Sequence, residues 1–403
     1  MLNSIYKESD MDSNSKPRVL FTYVEAGMGH IIPMTGISQA FTRKYGDKCE
    51  IINSYVFKES KNSAVNAMAK EFSGAVKSLN KNYILNRLEA FSYRLGNKLT
   101  HFGIDLHFKK GIEQYTKELI ELAPDLVVGS YYMPTHIASK AVRKKRLDTL
   151  TATYSPDCYI YPAWERRCDL FMVNNDMAYG MTQKGGFDVE KVKKIPFIYR
   201  ENITGLDVTK EQACDQVGLD KTKFRILYTS GAYGIGTTRK SRKLIKLILK
   251  SGLNAELIII CGKNPNAEKY LNGIKEKFNG SVSLKIVSYT DKMEYFMRGA
   301  DVIIGKSGTN TVMESLYIGT PIIINESVNR LEEITAKWAV KCKYATVANT
   351  PKKVMREINK IVEDGRSLDV LADGCHNYEK NSTGAEQAAD LLFELLKTRF
   401  PNL

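Results

Sequence analysis

Residues 305–324 read GKSGTNTVMESLYIGTPIII. The apolar run Asp301-Val-Ile-Ile leads into this stretch. Small hydroxyl and amide residues follow, then a segment of helical character, a Gly-Thr-Pro stop and a second apolar run. Two apolar runs joined by a helix predict parallel strands with a crossover between them. In open parallel sheets, ligands bind beyond the carboxyl ends of the strands, where helix N-termini point free N–H groups into a crevice. Ser307, Gly308, Thr309, Asn310 and Thr311 fall on that junction, and small donors there suit a diphosphate. VEAGMGHIIPM (24–34) and TSGAYGIG (229–236) make the same strand-to-helix transition with glycines. Neither Gly-x-x-x-x-Gly-Lys-Ser/Thr nor Gly-x-Gly-x-x-Gly occurs at these junctions, which excludes a P-loop and the dinucleotide fingerprint.

Working outward, apolar β-rich runs lie at 18–25, 49–57, 124–132, 148–155 and 169–175, with helical segments between them. KKIPFIYRENITGLD (193–207) reads as a connection. The rhythm then restarts at 224–231, 255–262, 282–289, 300–305 and 320–325. This predicts an α/β protein of two Rossmann-like domains facing an interdomain cleft. The expected division is a disordered polar start at 1–16, a first Rossmann-like domain at 17–198, a second at 199–382, and a terminal helix at 383–403 packing back on the first domain.

At 403 residues the chain is too long for one core. No apolar run approaches the ~20 residues of a membrane helix, and no signal peptide is evident. Seven scattered cysteines without Cys-x-x-Cys predict reduced thiols and a cytoplasmic setting. The five histidines are dispersed and no metal-ligand spacing appears, so no metal and no cofactor are expected. The net charge of +14 is spread over both halves and favours anionic partners, acidic membrane surfaces or phosphorylated substrates. No nucleic-acid module is present.

The 305–324 stretch resembles the nucleotide-sugar signature of GT-B glycosyltransferases of the monogalactosyldiacylglycerol synthase and processive diacylglycerol glucosyltransferase type. More distantly, it resembles the peptidoglycan N-acetylglucosaminyltransferase. AGMGH (26–30), YSPDCYIYPAW (154–164), KKIPF (193–197), SGAYGIG (230–236) and YTDKM (289–293) are similar to further family segments, in the family's order. The resemblance implies a GT-B fold and a UDP-sugar donor. It implies that Glu314 accepts from both ribose hydroxyls and that Ser230, Gly231 and Ser307 to Thr311 hold the diphosphate. Gly29 lies in the N-terminal loop on the nucleotide-sugar side, and Tyr289 and Thr290 flank the uracil. Glu332, with Glu333 beside it, binds donor-sugar hydroxyls. His30 or Asp157 is the general base.

Plainer readings exist for some of these residues. Thr311-x-x-Glu314 and Asn329-x-x-Glu332 both have capping-box spacing, and Asp157 can cap a turn after Pro156. Departures from the family pattern fall on the acceptor side, where Tyr161 stands near the place of a family histidine and Pro156 precedes the Asp.

The expected reaction is inverting transfer of a hexose from a UDP-sugar to a lipid hydroxyl, diacylglycerol or glycolipid. Because no Asp-x-Asp suited to a nucleotide-bound cation is present, metal independence is expected. Residues 61–110 interleave aromatic and aliphatic residues with lysine and arginine. That pattern suits an anionic bilayer and a peripheral location at the cytoplasmic face, and it equally suits an amphipathic helix pair covering a sheet. A soluble transferase acting on a small-molecule acceptor, a UDP-N-acetylglucosamine 2-epimerase, and an inactive UDP-binding module remain the alternatives.

Overall fold

The computed structural model describes residues 16–25, 28–55, 57–58, 60–79, 96–229, 238–278, 280–327, 329–364, 366–376 and 380–403. Most of the polar start, part of the aromatic-basic stretch (80–95), and the glycine loop with Ser230 and Gly231 lie outside the described residues.

Two six-stranded sheets, every pairing parallel, form the framework. The first comprises β1 (Arg18–Thr22), β2 (Glu50–Ser54), β3 (Leu126–Gly129), β4 (Leu150–Tyr154), β5 (Leu170–Val173) and β6 (Val192–Lys194). Its order is β2-β1-β3-β4-β5-β6. The second comprises β7 (Phe224–Tyr228), β8 (Ala255–Ile260), β9 (Ser283–Val287), β10 (Val302–Lys306), β11 (Ile322–Glu326) and β12 (Ala345–Val347). Its order is β12-β11-β10-β7-β8-β9. Both are Rossmann-like orders. Strands such as Leu-Val-Val-Gly (β3) and Ala-Glu-Leu-Ile-Ile-Ile (β8) are buried along their whole length. Sheets covered by helices on both faces require that.

The edge strands β6 and β12 were not expected. Val192–Lys194 belongs to the stretch read as a connection, yet it pairs with β5. Each edge strand is three residues long with only one buried side chain, too short to show a hydrophobic period. The first helix, Met28–Tyr45, takes up the glycine junction itself, so that Gly29 and His30 stand in its first turn. All seven cysteines are free, and all but Cys342 are buried. No described helix is long and apolar enough to cross a membrane.

The C-terminal helix Gly384–Lys397 returns to the first half. Ala388, Ala389, Leu392, Phe393 and Leu396 join the core formed by Val19, Phe21, Ile37 and Phe41. Phe393 stacks on Tyr45 at 3.9 Å, and the Tyr45 hydroxyl donates to Asp390 at 2.6 Å. Small residues allow this approach. A Cβ on Gly384 would meet the Pro196 carbonyl oxygen at 2.3 Å. Backbone cannot yield as a flexible side chain can, so Gly384→Ala is expected to destabilise the chain by roughly 1–3 kcal/mol. A lowered urea midpoint at unchanged m-value is the check.

Candidate functional site

Strand order reverses at β1 and β3 in the first sheet and at β7 and β10 in the second. The crevices at such switch points are where a parallel sheet offers a binding site. The helices leaving switch-point strands β1 and β10 carry His30 and residues 309–311, and Asp157 follows β4, the strand next to β3.

His30 is the third residue of the helix Met28–Tyr45. Its Nδ1 lies 2.6 Å from the Ser130 carbonyl oxygen, just past the end of β3, and the Ser130 hydroxyl donates to the His30 carbonyl at 2.6 Å. A carbonyl only accepts, so Nδ1 carries a proton and Nε2 of the neutral ring has a free lone pair. Burial lowers the His30 pKa, although Asp157 and the Ser130 carbonyl act the other way. Tyr131 packs edge-on against the ring at 5.0 Å. Burial also raises the Asp157 pKa, with His30 and the Thr309 hydroxyl opposing it.

Three contacts join the two halves here. The Thr309 hydroxyl donates to Asp157 Oδ1 at 3.4 Å, the Asn310 amide donates to the Met28 carbonyl at 3.5 Å, and Cys158 Sγ lies 3.3 Å from Thr335 Oγ1. The acceptor-side candidates and the Thr309 helix therefore share one crevice.

The helix after β10 spans Thr309–Ile318, with Gly308 as N-cap and no side-chain cap. Thr311 and Glu314 thus lie inside the helix, which removes the capping-box reading of that pair. The first-turn N–H groups of 309–311 have no partner within the helix, the arrangement that receives an anion. Ser307 differs from its neighbours. Its N–H donates to the Glu326 carbonyl at 3.0 Å, and its hydroxyl lies 2.7 Å from that of Ser327. Its backbone is therefore spent on joining β10 to β11. Gly29 has open space around it, with nothing within 4 Å of where a Cβ would sit.

Glu314 is buried, and both its oxygens accept from Arg200, from Nε and Nη2 at 2.7 Å each. Arg200 lies in the connection between the halves and was not anticipated. A carboxylate has about four lone-pair sites, so this clamp fixes the group and leaves room for two further donors. Asn202 donates to Glu294 at 2.7 Å, a second tie from the connection to the second half. Burial raises the Glu294 pKa.

Of the adjacent pair, Glu332 is buried and accepts from Lys306 Nζ at 2.7 Å, whereas Glu333 is exposed and paired with Arg330 at 2.8 Å. Asn329 does cap this helix, its side chain accepting from the Glu332 N–H at 2.9 Å. Lys306 sits within the quoted signature, but its role needed the fold to become visible. Tyr289 is 63% exposed with Lys263 over its ring at 5.2 Å. The Thr290 hydroxyl accepts from the Lys292 N–H at 3.0 Å, so its side chain shapes the turn. Trp164 is fully buried between Tyr161 and Phe171 and acts as core.

Residues 30–195 match the monogalactosyldiacylglycerol (MGDG) synthase family, and residues 236–382 match the glycosyltransferase family 28 C-terminal domain. The chain is 22% identical over 358 residues to monogalactosyldiacylglycerol synthase 2, chloroplastic, of Arabidopsis thaliana, covering 85% of this chain and 73% of that one. It is 24% identical over 300 residues to a processive diacylglycerol beta-glucosyltransferase of Staphylococcus epidermidis, covering 72% of each. MurG of Acinetobacter baumannii superposes with a TM-score of 0.60 at 11% identity, covering 94% of this chain and 99% of that one. A UDP-GlcNAc 2-epimerase from Neisseria meningitidis, bound to UDP-GlcNAc, superposes with a TM-score of 0.56 at 14% identity, covering 95% and 100%. These superpositions establish the architecture alone, which an epimerase shares with a transferase. One glycosyltransferase family model thus lies on each half of the chain, in consecutive order across two Rossmann-like sheets of GT-B architecture: residues 30–195 fall in the monogalactosyldiacylglycerol synthase family and residues 236–382 in the glycosyltransferase family 28 C-terminal domain.

Proposed function

We propose that the chain transfers a hexose from a UDP-sugar to the hydroxyl of a diacylglycerol-type lipid at the cytoplasmic face of a membrane, with inversion and without a catalytic metal. The observation that carries this reading is the shared crevice: a histidine with a free Nε2 on one wall and an uncapped helix N-terminus on the other, joined by the Asp157–Thr309 contact. Nε2 takes the proton of the acceptor hydroxyl as its oxygen attacks the anomeric carbon. The anomeric C–O bond to the diphosphate breaks, and UDP leaves with the electron pair. The N–H groups of 309–311 and the helix dipole stabilise the departing charge, the task a metal performs elsewhere. Asp157 favours the imidazolium that forms on His30. Glu314, clamped by Arg200, receives the ribose hydroxyls. Glu332 receives those of the sugar, with Tyr289 and Thr290 beside the base and the 230–231 loop completing the phosphate cradle.

The helix Asn97–His107 supports the membrane setting. It has no buried residue, and Leu99, Phe102 and Leu106 are 56%, 63% and 66% exposed at three- and four-residue spacing. Inward, it sets Ile104 against the first-half core beside the polar His101 and Asp105. A helix covering a sheet presents the opposite arrangement, as the neighbouring Lys109–Leu122 does with buried Ile112, Tyr115 and Leu119. Exposed Lys98, Lys109 and Lys110 lie beside the apolar stripe, the combination that binds anionic lipid surfaces.

The test is incubation with UDP-glucose and UDP-galactose, with and without vesicles of anionic phospholipid and diacylglycerol, followed by product masses and flotation. The expected result is a hexosyl-diacylglycerol and free UDP, with the enzyme floating on the vesicles. Joint Leu99→Glu, Phe102→Glu and Leu106→Glu substitution is expected to abolish flotation while UDP affinity stays unchanged. Epimerised donor in the absence of acceptor, or transfer only to a water-soluble alcohol, refutes the lipid reading.

A further inference from the structure

The same outward-apolar helix is fastened by a cluster that the transfer reaction does not use. One nitrogen each of His101 and His136 and one oxygen of Glu165 lie within 4.8 Å of one another. Their side chains are 12%, 2% and 3% exposed. His101 stands on the helix Asn97–His107, His136 on Tyr132–Arg143, and Glu165 in the loop between β4 and β5.

Each group is already oriented by a second partner. His101 Nε2 donates to the Ala163 carbonyl at 2.9 Å, which leaves Nδ1 facing Glu165 Oε2 at 4.0 Å. His136 Nε2 lies 3.0 Å from Asp105 Oδ1, and its Nδ1 lies 2.9 Å from the same Glu165 Oε2. The other Glu165 oxygen, Oε1, is taken by the Arg167 N–H at 3.0 Å and by Arg143 at 3.4 Å. Lys140 likewise holds Asp105 Oδ2 at 2.7 Å. One face of each side chain is thus anchored, and the remaining nitrogens and Oε2 converge. Metal-binding histidines are held in this way, with the non-ligating N–H donated to a carboxylate or a backbone carbonyl.

We propose that His101 Nδ1, His136 Nδ1 and Glu165 Oε2 bind one first-row divalent cation, with zinc as the type ion. Ligand atoms ~2.0–2.1 Å from a tetrahedral ion stand roughly 3.4 Å apart. The observed separations of 2.9 Å and 4.0 Å lie on either side of that value. Two imidazoles and one carboxylate select zinc-like ions over calcium and magnesium, which take oxygen ligands. Entry of the ion releases to solvent the proton that His136 Nδ1 gives Glu165, because a ligating nitrogen needs its lone pair. The bound ion staples the helix bearing Leu99, Phe102 and Leu106 to the loop that also carries Asp157.

Zinc alone is the probe. The full chain is stripped with chelator, dialysed against Zn²⁺ and counted by elemental mass spectrometry, and its melting temperature is followed with and without the ion. About one zinc per chain and a raised melting temperature are expected. His101→Ala is expected to lose the zinc. Asp105→Asn, which leaves the three ligands in place, is expected to weaken affinity ~10–100-fold. His107→Ala, on the same helix but exposed and paired with Glu71, is expected to bind like the parent. A folded parent chain that retains no zinc overturns the proposal, as does zinc affinity unchanged in both His101→Ala and Asp105→Asn. Because Asp105→Asn removes no ligand, it keeps the proposal testable if His101→Ala fails to fold. UDP binding is read on the same samples, so failure here is separable from failure of the transferase reading.

Discussion

Glu314→Ala is expected to weaken UDP binding about 30- to 1,000-fold. The carboxylate receives two ribose hydroxyls in the proposed complex, and hydrogen bonds to a charged group contribute about 1.5–3 kcal/mol each, with incomplete additivity. A combined loss of about 2–4 kcal/mol converts to that range. Truncation also leaves the Arg200 guanidinium without the partner that holds it at 2.7 Å through two nitrogens. Breaking such a pair weakens the fold as well, so urea unfolding must accompany the calorimetry. Arg200→Lys separates the two effects. The ammonium keeps the charge but cannot grip both oxygens, so Glu314 loses orientation while its ribose-binding atoms remain. UDP affinity intermediate between Glu314→Ala and the parent is expected. A Glu314→Ala chain that is folded and binds UDP within twofold of the parent removes the ribose assignment.

The second large effect belongs to His30. His30→Ala is expected to lower kcat by ~10²–10⁴ while UDP affinity changes less than twofold, because a general base acts on the acceptor proton alone. The pH dependence follows from the lowered His30 pKa, whose first cause is burial. The base form is the neutral ring, which predominates above its pKa. The parent rate is therefore expected to be flat through neutrality and to fall on acidification only below the ordinary histidine range. His30→Ala should lose that acid limb along with its rate. If the limb survives in His30→Ala and disappears in Asp157→Asn, the base is Asp157.

The strands that carry both functional loops were legible because buried parallel strands are short apolar runs, and the helices between them have their own period. The stretch at 305–324 likewise sets a small-residue junction beyond a strand end, and residues 307–311 do follow β10 in the fold. The short edge strands β6 and β12 were not legible, since Lys193 and Lys194 leave no apolar run in the first and Ala345-Thr346-Val347 is too short to show one in the second. The plainer capping reading at Thr311 fails, because the helix starts at Thr309 with Gly308 as its cap. At Asn329 the same spacing marks a cap, with Asn329 accepting from the Glu332 N–H while the Glu332 carboxylate accepts from Lys306. Local spacing cannot distinguish these cases, because the start of a helix depends on where the preceding strand ends.

The sequence by itself determined the alternation of strand and helix, the two-sheet framework and the small-residue junctions beyond β1 and β10, since all of these are encoded within a few residues of one another. Tertiary structure alone decided that the Ser130 carbonyl sets the tautomer of His30, that Arg200 clamps Glu314, and that His101, His136 and Glu165 converge. It also decided that Leu99, Phe102 and Leu106 face outward. The paired residues stand tens to more than a hundred positions apart. No periodicity or spacing links them, and only the closure of the fold brings a donor to its acceptor or leaves an apolar face uncovered.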